Sequence, residues 1–234
     1  MSVLRSKLPE RVADLFFPKT CIGCARGGGY LCSACAAALP RLLPPLCPRC
    51  GLPLGVEVCP ACQGQRLEID GVYAPFRFEG LARQAVHLLK YRNLKALAPV
   101  LSGLMAAHFR LHPLLAQAIV PVPLHRTRLR QRGYNQAELL TRGLGQELGL
   151  PVTPGWLERP QAGQPQARTP SREQRWHNTA GAFRTAGEAR IPGDTGVLLV
   201  DDVCTTGATL NACAGALKAA GAVRVWGLTL AREI

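Results

Sequence analysis

The stretch VLLVDDVCTTGATL at residues 197–210 decides how this chain is read. Val197, Leu198, Leu199 and Val200 form an apolar run without alternation, the pattern of a strand buried on both faces of a sheet. The strand is expected to end at Val200, leaving Asp201 and Asp202 at the sheet edge. Thr205, Thr206, Gly207, Ala208 and Thr209 then form a turn that opens an Ala-rich helix near 207–220. Amide groups at a helix start make an anion site, Gly207 permits close backbone approach, and threonine hydroxyls add donors, so the turn suits a terminal phosphate. An ionised Asp only accepts hydrogen bonds, which suits adjacent ribose hydroxyls, and a nearby Mg²⁺ would link those hydroxyls to a pyrophosphate. The plain alternative is an acidic strand-to-helix turn with ordinary capping; the unbroken strand, paired acids, TTG and Thr209 together speak against it.

Working outward, strands and helices alternate after residue 67. GVYAPFRF reads as a strand or hairpin, and Leu81, Ala85, Leu88, Leu89 and then Leu94, Leu97, Leu101, Leu104, Met105 mark two helices. AIVPVP is a short buried strand with a turn, Leu140, Leu144 and Leu148 give residues 135–149 a helical face, and VRVWGLTLA closes the sheet. The expected fold is α/β: a mostly parallel sheet with helices on both faces, ligands binding beyond the carboxyl ends of the strands. The domain is expected to span 68–234.

Residues 1–67 are expected to form a separate module. Eight of the ten cysteines lie there as four CxxC pairs: Cys21 and Cys24, Cys32 and Cys35, Cys47 and Cys50, Cys59 and Cys62. Two such turns complete a closed Cys₄ zinc site with sulfurs about 3.7 Å apart, so four turns make two structural Zn²⁺ sites. Sequential pairing closes the shorter loops and is favoured; a cross-braced pairing is the other possibility. Redox dithiols are the competing explanation, which the regular spacing disfavours. Ahead of them Leu4, Leu8, Val12, Leu15 and Phe16 mark a short amphipathic helix, expected to dock on the protein rather than on a membrane. No apolar run approaches the roughly 20 residues of a membrane span, and Arg5, Lys7, Glu10, Arg11 and Asp14 interrupt the start where an export signal needs an apolar core; a cytoplasmic protein without membrane insertion is expected.

The formal net charge is +13. Zinc-bound thiolates remove most of the excess of the first 67 residues, so the usable positive charge belongs to the second domain. From residue 80 to 137 there are nine Lys or Arg and no acid, including Arg126, Arg128, Arg130 and Arg132 just after the turn at Val122 and Pro123. Arg159, Arg168, Arg172, Arg175 and Arg184 stand against Glu173 alone in a Pro- and Gln-rich stretch expected to be a flap. Such charge could track a nucleic-acid backbone, with Tyr134, Trp176 or Tyr91 to stack bases; a solvated basic face is the ordinary alternative. His108 and His112 have helical ligand spacing but no third partner and are read as structural, as are Cys204 and Cys213.

The loop at 197–210 resembles the 5-phosphoribosyl-1-pyrophosphate (PRPP) loop of type I phosphoribosyltransferases. That likeness implies that Asp201 and Asp202 hold the ribose, that Thr205 to Thr209 hold the 5′-phosphate, and that Val122 and Pro123 form a pyrophosphate loop beside the arginines. Together with the four CxxC pairs, HLLKYRN around Lys90, PVPLHRTRLRQRGYNQ from Pro121 and RTPSREQRWHNTAGAF from Arg168, the chain is similar along nearly its whole length to the ComF family. The resemblance implies a zinc module on a phosphoribosyltransferase-like fold, a role in DNA uptake during natural transformation, single-stranded DNA as a ligand, and DNA-uptake or recombination proteins as partners. One departure is Gln174, where the family more often carries an acid. A PRPP-dependent enzyme of nucleobase or nucleotide metabolism is the second hypothesis; the short segments between motifs leave no recognisable base-binding hood, and no catalytic residue is assigned.

Overall fold

The computed structural model describes residues 19–160, 181–187 and 190–234. The expected helix carrying Leu4, Leu8, Val12, Leu15 and Phe16 lies outside the described residues, as do Arg168, Arg172, Glu173, Gln174, Arg175 and Trp176 of the expected flap. By compactness the chain divides into Met1–Leu39 and Pro40–Ile234. The second group of four cysteines therefore falls in the larger unit, where the sequence had placed it with the first group.

Among the described residues of the smaller unit is one short helix, α1 (Ser33–Ala37), capped by the Cys32 sulfur accepting from the Cys35 amide. The larger unit holds β1 (Gly71–Tyr73), β2 (Phe76–Arg77), α2 (Gly80–Tyr91), α3 (Ala98–Leu111), β3 (Ala118–Pro121), α4 (Arg126–Arg132), α5 (Gln136–Leu148), β4 (Gly196–Cys204), α6 (Ala208–Ala219) and β5 (Arg224–Arg232). Every named strand pair is parallel, in the order β1-β5-β4-β3, with β2 also pairing β5. GVYAPFRF is therefore two short strands lying along one neighbour, not a hairpin. VRVWGLTLA does not close the sheet at an edge but lies inside it, between β1 and β4.

Alternate side chains of the strands serve the two faces. Val197 and Leu199 of β4, with Val120 and Val225, pack with Leu210, Cys213, Ala214 and Leu217 of α6. On the other face α2, α3 and α5 lie against the sheet, burying Val86, Leu89, Leu101, Met105, Leu140 and Leu144. Gly143 leaves room for its neighbour: a Cβ there would collide with the Ser102 side chain, so Ser102 of α3 packs directly on the Gly143 backbone of α5. The ends of α5 follow its sequence, with Asn135 Oδ1 accepting from the Ala137 amide at 3.0 Å at one end and Gly149 in the left-handed region at the other. Among the described residues no helix is long and apolar enough to cross a membrane.

Candidate functional site

The cysteines form two clusters, Cys21, Cys24, Cys32 and Cys35 in the smaller unit and Cys47, Cys50, Cys59 and Cys62 in the larger, with all sulfurs of a cluster within 4.8 Å of one another. Pairing is thus sequential, and the cross-braced alternative is excluded. Sulfur separations of 3.7 Å (Cys24 to Cys32), 3.8 Å (Cys47 to Cys62) and 3.6 Å (Cys50 to Cys59) match the edge of a tetrahedron built on Zn–S bonds of about 2.3 Å. The Cys32 amide points at the Cys21 sulfur at 3.4 Å; backbone amides, led by that of Cys32, pull the Cys21 thiol down to about 6. Hydrogen bonds with its neighbours' sulfurs, that of Cys21 first, push Cys35 up to about 12. Four thiols so close cannot all ionise alone, and a divalent cation removes the conflict. These are two Cys₄ zinc sites, closed by protein ligands and structural in kind.

The second candidate site lies at the carboxyl ends of β3 and β4. β4 does not stop at Val200: Asp201 pairs with Thr229, Val203 with Ala231 and Cys204 with Arg232, so the acids stand within the strand. The sequence could not show this, because pairing with β5 rather than the local pattern extends the strand. Asp202 is only 2% exposed. Lys90, at the end of α2, meets its Oδ1 at 2.7 Å, while Oδ2 is buried and has no hydrogen-bond partner among the described residues. Asp201 Oδ1 accepts from the Asp202 amide at 2.8 Å, and its carboxyl is pushed up to about 7 by burial and by the charge of Asp202, against the pull of Lys90. Lys90 belonged to a quoted motif, but nothing in the sequence tied it to these acids.

Beyond Cys204, Thr205 and Thr206 make the turn, Gly207 caps α6 at φ +84°, and Ala208 and Thr209 are already in the helix. Thr206 Oγ1 accepts from the Ala208 amide at 3.3 Å. Ala208 is buried, whereas Thr205, Thr206, Gly207 and Thr209 are half-buried. Cys204 and Cys213 are buried and their thiols are pushed up, Cys204 to about 11, which keeps them unreactive as expected.

The Val122–Pro123 turn lies beside the acids because the Val122 amide donates to the Val200 carbonyl at 2.9 Å; Asn135 Nδ2 holds the Val122 carbonyl at 3.0 Å. The chain then enters α4, none of whose residues is buried. Lys90, Tyr91, Asn93, Arg128, Gln131, Arg132 and Tyr134 line a cleft of about 550 Å³ without an acid. Helical geometry separates the four arginines: Arg128 and Arg132, one turn apart, line the cleft, whereas Arg126 and Arg130 are exposed outside its lining. Tyr134 is not free to stack a base, since it is buried, its hydroxyl donates to the Leu89 carbonyl, and Lys95 Nζ sits 4.6 Å from its ring centroid. Tyr91 is 66% exposed and keeps ring surface open beside Arg132. Arg159 is drawn into the same electrostatic neighbourhood, interacting with Arg128 and Asp201; its Nε is buried and has no hydrogen-bond partner among the described residues. The rings of His108 and His112 lie 4.8 Å apart, tilted by 55°, and burial drives His108 down to about 4.

Residues 12–65 match the family model described as a double zinc ribbon domain. The chain is 32% identical over 231 residues to competence protein F of Haemophilus influenzae, covering 92% of this chain and 99% of that protein. It is 32% identical over 217 residues to the DNA utilization protein YhgH of Escherichia coli K12, covering 86% and 91%, and 26% identical over 212 residues to competence protein ComFC of Bacillus subtilis, covering 87% and 84%. Among solved structures, adenine phosphoribosyltransferase of Saccharomyces cerevisiae aligns with 58% of this chain and 70% of its own at 18% identity and a TM-score of 0.37.

Proposed function

The chain belongs to the ComF family, and from that membership we propose that it binds PRPP at the carboxyl ends of β3 and β4 and single-stranded DNA on the adjoining basic surface, as a cytoplasmic factor in DNA uptake or utilisation. The observation that carries this reading is the juxtaposition, at one sheet end, of paired acids with an unsatisfied acceptor, a glycine-capped threonine turn and an acid-free arginine cleft. In this reading Asp201 and Asp202 accept from the ribose 2′ and 3′ hydroxyls, the hydroxyl facing Asp202 supplying the donor that its Oδ2 lacks. The half-buried turn residues and the first amides of α6 hold the 5′-phosphate. Lys90, Arg128 and Arg132 offset the pyrophosphate charge, with Val122 and Pro123 fixing the backbone beside it. Mg²⁺ would arrive with PRPP, neutralise its pyrophosphate and orient it. Arg126 and Arg130, exposed on α4, are placed to meet successive phosphates of a strand, and Tyr91 to stack on a base. The names of the relatives, competence and DNA utilization proteins, support the nucleic-acid half of the proposal, and DNA-uptake or recombination proteins are its natural partners.

Titration calorimetry with PRPP and Mg²⁺ tests the reading. Asp201→Asn combined with Asp202→Asn should abolish binding while circular dichroism stays unchanged; unaltered affinity sinks the assignment. A pyrophosphate-release assay with candidate bases, with and without single-stranded DNA, separates a binding protein from a transferase of nucleobase metabolism.

A further inference from the structure

Arg232, the last residue of β5, is 1% exposed. A side chain that is always charged is seldom buried unless paired with a carboxylate. Yet each hydrogen bond that its guanidinium donates among the described residues ends on a main-chain carbonyl. Nε donates to Cys50 at 2.9 Å; the two hydrogens of Nη1 are shared among the carbonyls of Cys204 at 2.9 Å, Glu233 at 2.8 Å and Thr205. Cys50 is a ligand of the second zinc site, and Thr205 opens the phosphate turn. One guanidinium thus bridges the metal site and the turn, across a Cys50–Arg232 separation of 182 residues in sequence.

The carbonyl contacts fix more than position. In a trans peptide the C=O and the following N–H point in opposite directions, and the only cis bond among the described residues is Pro44-Pro45. With the Cys204 and Thr205 carbonyls aimed at Arg232, the amides of Thr205 and Thr206 point away from it. The zinc side is equally constrained. Gly51 has φ +70°, and a Cβ there would lie 2.6 Å from the Val72 carbonyl, so the cysteine turn is pressed onto β1. Arg49, Cys50 and Cys62 share a crevice with Thr206 and Gly207.

We propose that Arg232 is a positioning residue that couples the second zinc site to the phosphate turn. Zinc fixes the Cys50 carbonyl, Cys50 anchors Arg232, and Arg232 orients the turn's amides for a phosphate ester. By reciprocity of linkage, a ligand that orders the turn must retain the zinc of that cluster and not of the other. The inference rests on the PRPP assignment above, and its test distinguishes the two.

Pulsed alkylation of zinc-loaded protein, followed by peptide mass spectrometry, reports each cysteine cluster separately. Saturating PRPP with Mg²⁺ is expected to slow alkylation of Cys47, Cys50, Cys59 and Cys62 by at least about fivefold, the lower end of ordinary coupling, and to leave the first cluster unchanged. Arg232→Lys keeps the charge, but its single ammonium lacks the planar fork that spans Cys50 and Thr205. It should bind PRPP about tenfold more weakly, by the same scale of coupling, and lose the selective protection. If PRPP binds in calorimetry yet slows neither cluster, or slows both alike, the coupling is refuted and the PRPP assignment stands. If PRPP does not bind the wild-type chain, both fall. Should Arg232→Lys fail to fold, the wild-type comparison decides alone.

Discussion

Replacing Asp201 with Asn is expected to stabilise the ligand-free protein while removing an acceptor that the proposed ligand needs. The Asp201 carboxyl is pushed up to about 7 from an ordinary 3.8, by burial first and by Asp202 second. An acid raised in this way favours the folded state only while protonated. Between the two values the folded state holds more protons than the unfolded, so stability falls as pH climbs from about 4 to about 7 and stays reduced above. At about 1.36 kcal/mol for each pH unit, the shift costs roughly 4 kcal/mol at pH 8, where the buried carboxyl is ionised, and roughly 1.5 kcal/mol at pH 5, where folding takes up a proton to keep it neutral. Asn cannot ionise, yet its Oδ1 can still accept the Asp202 amide that now lies 2.8 Å away. Allowing half of the cost for relaxation and water entry, Asp201→Asn should raise the melting temperature by about 4 to 8 °C at pH 8 and by about a third as much at pH 5. Scanning calorimetry across this pH range measures the difference. A variant that melts lower than wild type at pH 8, or a difference that does not change with pH, would refute the reasoning.

Lys90→Met leaves Asp202 buried without its cation and should cost about 3 kcal/mol at pH 8. Urea titrations of wild type and variant at pH 8 measure the loss. Arg128→Ala with Arg132→Ala should weaken PRPP binding at least about tenfold in calorimetry, whereas Arg126→Ala with Arg130→Ala should change it little. The Arg126 and Arg130 pair should instead lower the salt dependence of single-strand binding by about 1.4 in log–log slope, measured by fluorescence anisotropy; an unchanged slope removes α4 from the proposed DNA surface.

Much of this was legible from local pattern. The apolar run at Val197 to Val200 marked a buried strand, Asn135 and Gly149 marked the ends of α5, and CxxC spacing marked the zinc ligands, because each signal depends on neighbours within a few residues. Sequential cysteine pairing was favoured by the same short-range reasoning, through loop length. What stayed hidden were facts of contact. Tyr134 looked like a stacking residue until its hydroxyl and ring proved occupied by Leu89 and Lys95. The four arginines of α4 looked equivalent until a helix, not apparent from their spacing alone, turned two of them into the cleft.

The sequence by itself determined the chemistry available at the threonine–glycine turn and the cysteine clusters, since residue type and short spacing specify donors, acceptors and metal ligands. Tertiary structure decided which of those groups act together. It carried β4 past Asp201 by pairing it with β5, placed Lys90 on Asp202, and set Arg232 between a zinc ligand and the turn. The physical reason is that periodicity and turn chemistry are local properties of a chain. The partner of a buried charge is fixed only when the whole core closes around it, where leaving that charge unpaired would cost several kcal/mol.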